Sequence, residues 1–359
     1  MRIHAALAIA VTVLAVGCNT APGSTGDTDP AGLGDAVIQR QMADLYTAAQ
    51  SSDENQVVVY GPGQEFYESA YGLFMRRYPT ISVVAEPLLG EKLNTRLDQE
   101  FISGKHVGSV QIHGGSGTAL AAGAGRCEQY RPFTAGYLTG TESAATYTAF
   151  SYFGVGIEYN SQKLTADQAP KGWRELADPE WKGRIALQDP NVVGVSALMI
   201  SNLIAENKLD DTWVRELLGN EPLVVDTAAL AEQSVARGER DVVAVNNTGV
   251  FTTSKKKGLP VEFVFPTEEG ARLDTMYVCL LSGGPNPHAA KLFANWLFTP
   301  EAQDEIAQTG VYASRPGTSA PPHLPSLDTI QDKIIPQIPV GQQGSDVQNT
   351  IKMIKEIRG

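Results

Sequence analysis

At 359 residues the chain is long enough for two domains of ordinary size, and with 42% hydrophobic residues most of it can bury a core. The 28 basic side chains stand against 40 acidic ones, a formal charge of −12, which with no large basic block argues against a nucleic-acid partner. The short basic run Lys255-Lys256-Lys257 reads as a solvated turn.

The chain opens with a positive Arg2 and an apolar run, Ala5 to Val16, that is too short to cross a bilayer as a stable helix. Leu14-Ala-Val-Gly-Cys18 follows the pattern of small residues before a cysteine and resembles a bacterial lipobox, with its leucine one place earlier than usual. That resemblance implies a signal peptide over 1–17 and an acylated Cys18 that anchors the protein through lipid to the outer face of a bacterial membrane, at the cell surface or the periplasmic face. The alternative is an ordinary secretory signal with an incidental cysteine. Residues 18–37 then form a flexible tether rich in Pro, Gly and small polar residues. Two cysteines remain, Cys127 and Cys279; in an exported chain they are either a disulfide or two buried thiols.

From Asp35 the apolar spacing predicts a helix to Gln50, then a buried strand Gln56–Tyr60 closed by Gly61-Pro-Gly63. A helix over Glu65–Tyr78, a strand over Ile81–Ala85, a helix over Lys92–Ser103 and a strand over Val107–Ile112 follow, the last ending in the Gly-rich run His113 to Gly117. The pattern restarts with a strand over Ser151–Tyr159 and further strands at Arg184–Gln188, Leu223–Val225, Val242–Asn246, Val261–Phe265 and Thr275–Leu281, with helices between them. Two amphipathic helices, Pro287–Phe298 and Glu301–Thr309, come after. Such alternation predicts an α/β fold with its site on loops at the carboxyl ends of strands.

The segment GWRELADPEWKGRIALQDP, starting at Gly172, is the most informative. Trp173, Leu176 and Trp181 are large anchors in a turn-rich stretch, Pro179 and Gly183 interrupt any long helix, and Asp189-Pro190 ends a short strand. The apolar run Val192–Glu206 then reads as a helix whose N-terminus is suited to a polar or anionic ligand.

The strand Val57–Tyr60, the GWREL…WKGRIALQDP segment, the strand in Gly238–Asn246, PNPHAAKLFANWLFTPEAQ over Pro285–Gln303, and Tyr312-Ala-Ser-Arg315-Pro316 occur in one order. Together they resemble the extracellular solute-binding proteins of ABC importers, in the branch that includes the ferric-iron-binding proteins. The resemblance covers nearly the whole chain from about residue 55. It implies a two-lobed α/β fold of the type 2 periplasmic-binding (Venus-flytrap) kind with two hinge crossings, near Ser151–Tyr159 and Thr275–Leu281. Lobe one would comprise 38–152 and 278–359, and lobe two 153–277. It also implies a small-molecule ligand held between the lobes, a permease and ATPase complex as partner, a monomer, no cofactor, and transport in place of catalysis.

Family ligands are gripped at strand ends and helix N-termini. Transferred to this chain, those positions give Gly61 and Gln64 in the first loop, His113, Gly115 and Ser116 in the second, Asp189, Asn191 and Ser196 in the third, and Asn246, Asn247 and Thr248 in the fourth. Arg96 and Glu100 fit an Arg-x-x-x-Glu pattern of the branch; Arg96 would suit a carboxylate or phosphate if it faced the ligand, and a surface ion pair otherwise. The ferric-iron binders carry two adjacent tyrosines after the fourth strand, where this chain has Asn246-Asn-Thr-Gly-Val-Phe251. The expected ligand is therefore a small polar anion, phosphorylated or carboxylated, with no metal site. The alternatives are ferric iron held through other oxygen donors and a ligand-sensing surface receptor. An enzyme using His113, Asp189 and Ser196 is disfavoured, since no Gly-x-Ser-x-Gly, Walker, His-Glu-x-x-His or Cys-x-x-Cys motif is present.

Overall fold

The computed structural model describes residues 32–88, 90–137 and 143–358. The signal peptide, Cys18 and the tether up to residue 31 lie outside these residues. Helix α1 (Ala36–Ser51) starts inside the expected tether because Asp35 caps it, its side chain accepting from the amides of Val37 and Ile38. Strand β1 (Gln56–Tyr60), α2 (Glu68–Arg77), β2 (Ser82–Glu86), α3 (Gly90–Ser103), β3 (Val110–Gly114) and α4 (Gly115–Gly123) follow, then β4 (Ser143–Ala144) and the long β5 (Tyr147–Asn160). After these come β6 (Ile185–Gln188), α5 (Val195–Ala205), α6 (Asp211–Gly219), β7 (Leu223–Val225), α7 (Ala228–Ala236), β8 (Val242–Asn247), α8 (Thr248–Lys256), β9 (Val261–Val264) and β10 (Arg272–Leu280). The chain closes with α9 (Pro287–Trp296), α10 (Pro300–Ala307), β11 (Tyr312–Ala313), α11 (Leu327–Ile330) and α12 (Val340–Arg358).

The strands run in the order β2-β1-β3-β10-β5-β8-β6-β7, with β4, β9 and β11 attached to β5. Strands β1, β2 and β3 are parallel, as are β6, β7 and β8; β5 and β10 are antiparallel to their neighbours. Residues of β5 from Thr148 to Val155 pair with β10, and those from Val155 onward pair with β8 and β9. One strand thus serves two halves of the molecule, giving a two-lobed α/β architecture. β1 is apolar on both faces because both are covered: Val57 and Val59 enter one core, Val58 and Tyr60 another.

The largest core joins Met42, Phe74, Phe150, Phe293 and Trp296. A second, separate core joins Val155, Trp173, Leu176, Trp181, Met199, Trp213 and Val242. The indoles Trp173 and Trp213 are buried with their polar edges answered. Trp173 Nε1 donates to the Gly270 carbonyl at 2.8 Å, and Trp213 Nε1 to the Trp173 carbonyl at 2.9 Å. The Trp173 and Arg174 amides donate to the buried Glu269 carboxylate.

The C-terminal segment packs against both halves of the molecule. Ile335 and Ile354 belong to the second core. Helix α12 begins against Ala149 and Tyr277 through Val340 and then packs Val347 and Ile351 on Ala197 of α5. It touches both α4 and α5. The cause is an apolar stripe at Val347, Ile351 and Ile354, spaced four and three residues apart. Cys127 and Cys279 are disulfide-bonded, with Cα atoms 5.7 Å apart, beside Val58, Tyr60, Leu93, Leu97 and Leu281.

Candidate ligand-binding site

Four strand ends deliver the predicted loops, and each is built differently. At the end of β1, Gly61 has φ +141°, and a Cβ there would overlap the carbonyl oxygen of Ile112. Gln64 is buried, and its Oε1 accepts from the Tyr71 hydroxyl at 2.7 Å, so this side chain braces α2 from within.

The Gly-rich run expected as a loop is instead the end of β3 and the first turn of α4. His113 lies in β3 opposite Tyr277, its ring against Gly117, and burial holds its imidazole below the ordinary histidine value. Helix α4 has Gly114 at its N-cap with no side-chain cap. A Cβ on Gly115 would collide with the carboxamide of Gln343, so α12 sits directly on this terminus.

On the other lobe, β6 leads through Asp189-Pro190 into α5. Asp189 Oδ1 accepts from both the amide and the Nδ2 of Asn191 at 3.0 and 2.8 Å, and Arg358 stands 3.5 Å away. The Asp189 carboxylate is therefore occupied in shaping the turn. The first turn of α5 is not closed off in this way. Its N-cap is Gly194, with no side-chain cap, leaving the amides of that turn without intrahelical acceptors. Ser196 is 0% exposed and its Oγ has no hydrogen-bond partner. Gln188 Oε1, whose carboxamide lies against Gly194, and Asn191 Oδ1 in the preceding turn are also buried without partners. Arg272 of β10 crosses to the same helix: its Nη1 donates to the Leu198 carbonyl at 2.6 Å, and its Nε stands 2.5 Å from Asp274.

The fourth position is self-satisfied. Asn247 caps α8, its Oδ1 accepting from Gly249 and Val250 at 3.1 Å. Asn246 is buried, bonded to Glu158. Thr248 Oγ1 accepts from the Gly154 amide at 3.0 Å and ties α8 to β5. Phe66, just after the first loop, rests on Gly249, so the first and fourth loops meet.

Arg96 is held between its own helix and the last residue of β1. Its Nε bonds Glu100 at 2.6 Å and the Tyr60 hydroxyl at 3.2 Å, and its guanidinium lies over the Tyr60 ring. Two surface cavities of about 590 and 320 Å³ are lined by none of the predicted ligand residues.

The comparisons with known proteins agree with this architecture. Residues 129–332 match the family model of the bacterial extracellular solute-binding proteins. The chain belongs to this family. A Haemophilus influenzae relative, described only as uncharacterized, is 29% identical to this solute-binding protein over 164 residues, covering 45% of this chain and 46% of the relative. The chain spans about half the length of the curated relatives it matches. Among solved structures, iron-bound HitA from Pseudomonas aeruginosa superposes with a TM-score of 0.72 at 18% identity, over 84% of this chain and 99% of that one. The periplasmic binding protein AfuA from Actinobacillus pleuropneumoniae, with fructose-6-phosphate bound, gives 0.70 at 19% identity, over 84% and 97%. Such a solute-binding protein takes the two-lobed type 2 fold that these neighbours share.

Sequence reasoning missed Gln188, Arg272 and Gln343. Gln343 lies in a helix it did not identify. Gln188 is the last residue of β6 and Arg272 the first of β10, which begins three residues before the strand expected at Thr275.

Proposed function

We propose that this protein is the lipid-anchored, extracytoplasmic capture subunit of an ABC importer and that it takes a small hydroxylated organic anion, such as a sugar phosphate. The observation that carries this reading is the open N-terminus of α5. There, free amides and the unpartnered Ser196 hydroxyl offer donors to an oxyanion. The orphaned oxygens of Gln188 and Asn191 offer acceptors to ligand hydroxyls. A ligand with both groups would satisfy the set, and an apolar ligand would leave it costly. The likeness to AfuA supports the same chemistry. The likeness to HitA supports iron, but the end of β8 and the start of α8 carry Asn246, Asn247 and Thr248, all engaged within the protein.

The test is a thermal-shift titration with fructose-6-phosphate, inorganic phosphate and ferric citrate. At a hundredfold excess over Kd, a ligand specific for the folded state adds about 2.7 kcal/mol. The expected outcome is a shift of several degrees with the sugar phosphate, and a tenfold or larger loss of affinity in Ser196→Ala, as for a hydrogen bond to a charged group. A shift with ferric citrate together with a visible charge-transfer band would replace this reading by iron transport. Anchoring is tested separately: Cys18→Ala should move the protein from the membrane to the soluble fraction.

A further inference from the structure

Behind the N-terminus of α8, inside the second lobe, two carboxyl groups lie against each other. Glu158 of β5 is 0% exposed and Glu232 of α7 is 2% exposed. One oxygen of each has a donor. Glu158 Oε2 accepts from Asn246 Nδ2 at 2.7 Å, and Glu232 Oε2 from the Ser254 hydroxyl at 2.6 Å. The remaining oxygen of each, Oε1, is buried and receives no hydrogen from any other described group. The two side chains are within hydrogen-bonding distance of one another. Two ionised carboxylates cannot satisfy that arrangement, because both facing atoms would be acceptors. A hydrogen carried by one of them satisfies both.

We propose that Glu158 and Glu232 share one proton at neutral pH, and that this carboxyl–carboxylate pair is the buttress that sets Asn246 and Asn247 at the head of α8. From Asn246 the chain of bonds continues outward. Its Oδ1 accepts from the Asn247 amide at 2.8 Å, and Asn247 caps the helix.

The surrounding charges are few. Glu262 of β9 acts on Glu158 and is itself paired with Lys255 of α8 at 2.8 Å; Lys257, after α8, acts on Glu232 from an exposed position. Strands β6 and β7 carry no ionisable side chain, and α7 carries none besides Glu232. Burial raises both carboxyl groups above their ordinary range; the charge of Glu232 raises Glu158 further, whereas hydrogen bonds from Ser254 and Glu158 and the charge of Lys257 offset part of the rise at Glu232. A proton retained in the folded state and lost in the unfolded one stabilises the fold at low pH. That contribution disappears as pH rises from the ordinary glutamate value toward the pair's own.

The test needs no ligand, so it is independent of the transport reading. Urea unfolding of the full chain, of Glu158→Gln and of Glu232→Gln is followed from acid to alkaline pH. Relative to either glutamine variant, the wild-type unfolding constant should rise by about tenfold per pH unit above about pH 4.3 until the pair ionises. Parallel profiles would overturn the proposal. Should the variants fail to fold, the infrared spectrum of the wild-type protein at neutral pH decides. A carboxylic-acid carbonyl band protected from solvent exchange supports the shared proton, and its absence overturns it. Stability that falls on removing metal ions, or on replacing sodium with a bulky organic cation, would also overturn it in favour of a bound cation.

Discussion

At the scale of single residues, the type of a side chain is visible in the sequence and its direction is not. Asn247 and Gln64 were expected to face a ligand on the strength of their chemistry, and Arg96 to do so or to form an ion pair with Glu100. The structure turns Asn247 back onto its own helix, Gln64 onto Tyr71 and Arg96 onto Glu100. Each of these partners is supplied by the fold itself. Gly61 is the opposite case, since its expected place at a strand-ending turn matches a backbone demand that glycine meets. Gly61→Ala adds a Cβ where the Ile112 carbonyl already sits, at a φ unfavourable for other residues. Its expected cost is about 3 kcal/mol or more in a urea denaturation, well beyond the ~1 kcal/mol of an ordinary Gly→Ala exchange.

Among elements, the strands were the most legible. Val57–Tyr60 and Val242–Val245 are continuous apolar runs, and a run of that kind fits a sheet covered on both faces. The start of α4 was not legible, because Gly115, Ser116 and Gly117 have poor helix propensity. What holds them in a helix comes from far along the chain, where α12 lies on α4. Helix α12 was itself hidden: between Val340 and Ile351 its sequence is mostly polar, with Gly341 and Gly344 early in it. Its apolar residues become significant only once α5 is there to receive them. Ile351→Ala should therefore cost about 2–3 kcal/mol, measured by the shift of the urea midpoint at unchanged m-value. If α12 is only loosely attached, the midpoint will not move.

Across the whole molecule, the two-lobed plan was legible because the motifs occur in a fixed order. The second lobe is an insertion between two strands, β5 and β10, that lie side by side. The terminal helix returning across α4 and α5 adds a further connection between the halves, which no single motif announces. The disulfide links a position just before the insertion to one just after it, 152 residues apart. Reduction should lower the stability by about 2–5 kcal/mol, read as a drop in melting temperature with thiol reductant present. The bond also makes the polypeptide a closed ring with two tails, the ring running from Cys127 through strands β4 to β9 and into β10 at Cys279. A single protease cut within that ring opens it without dividing the molecule. Such a nicked chain should migrate as one species without reductant and as two fragments with it, whereas a cut in either tail releases a piece under both conditions.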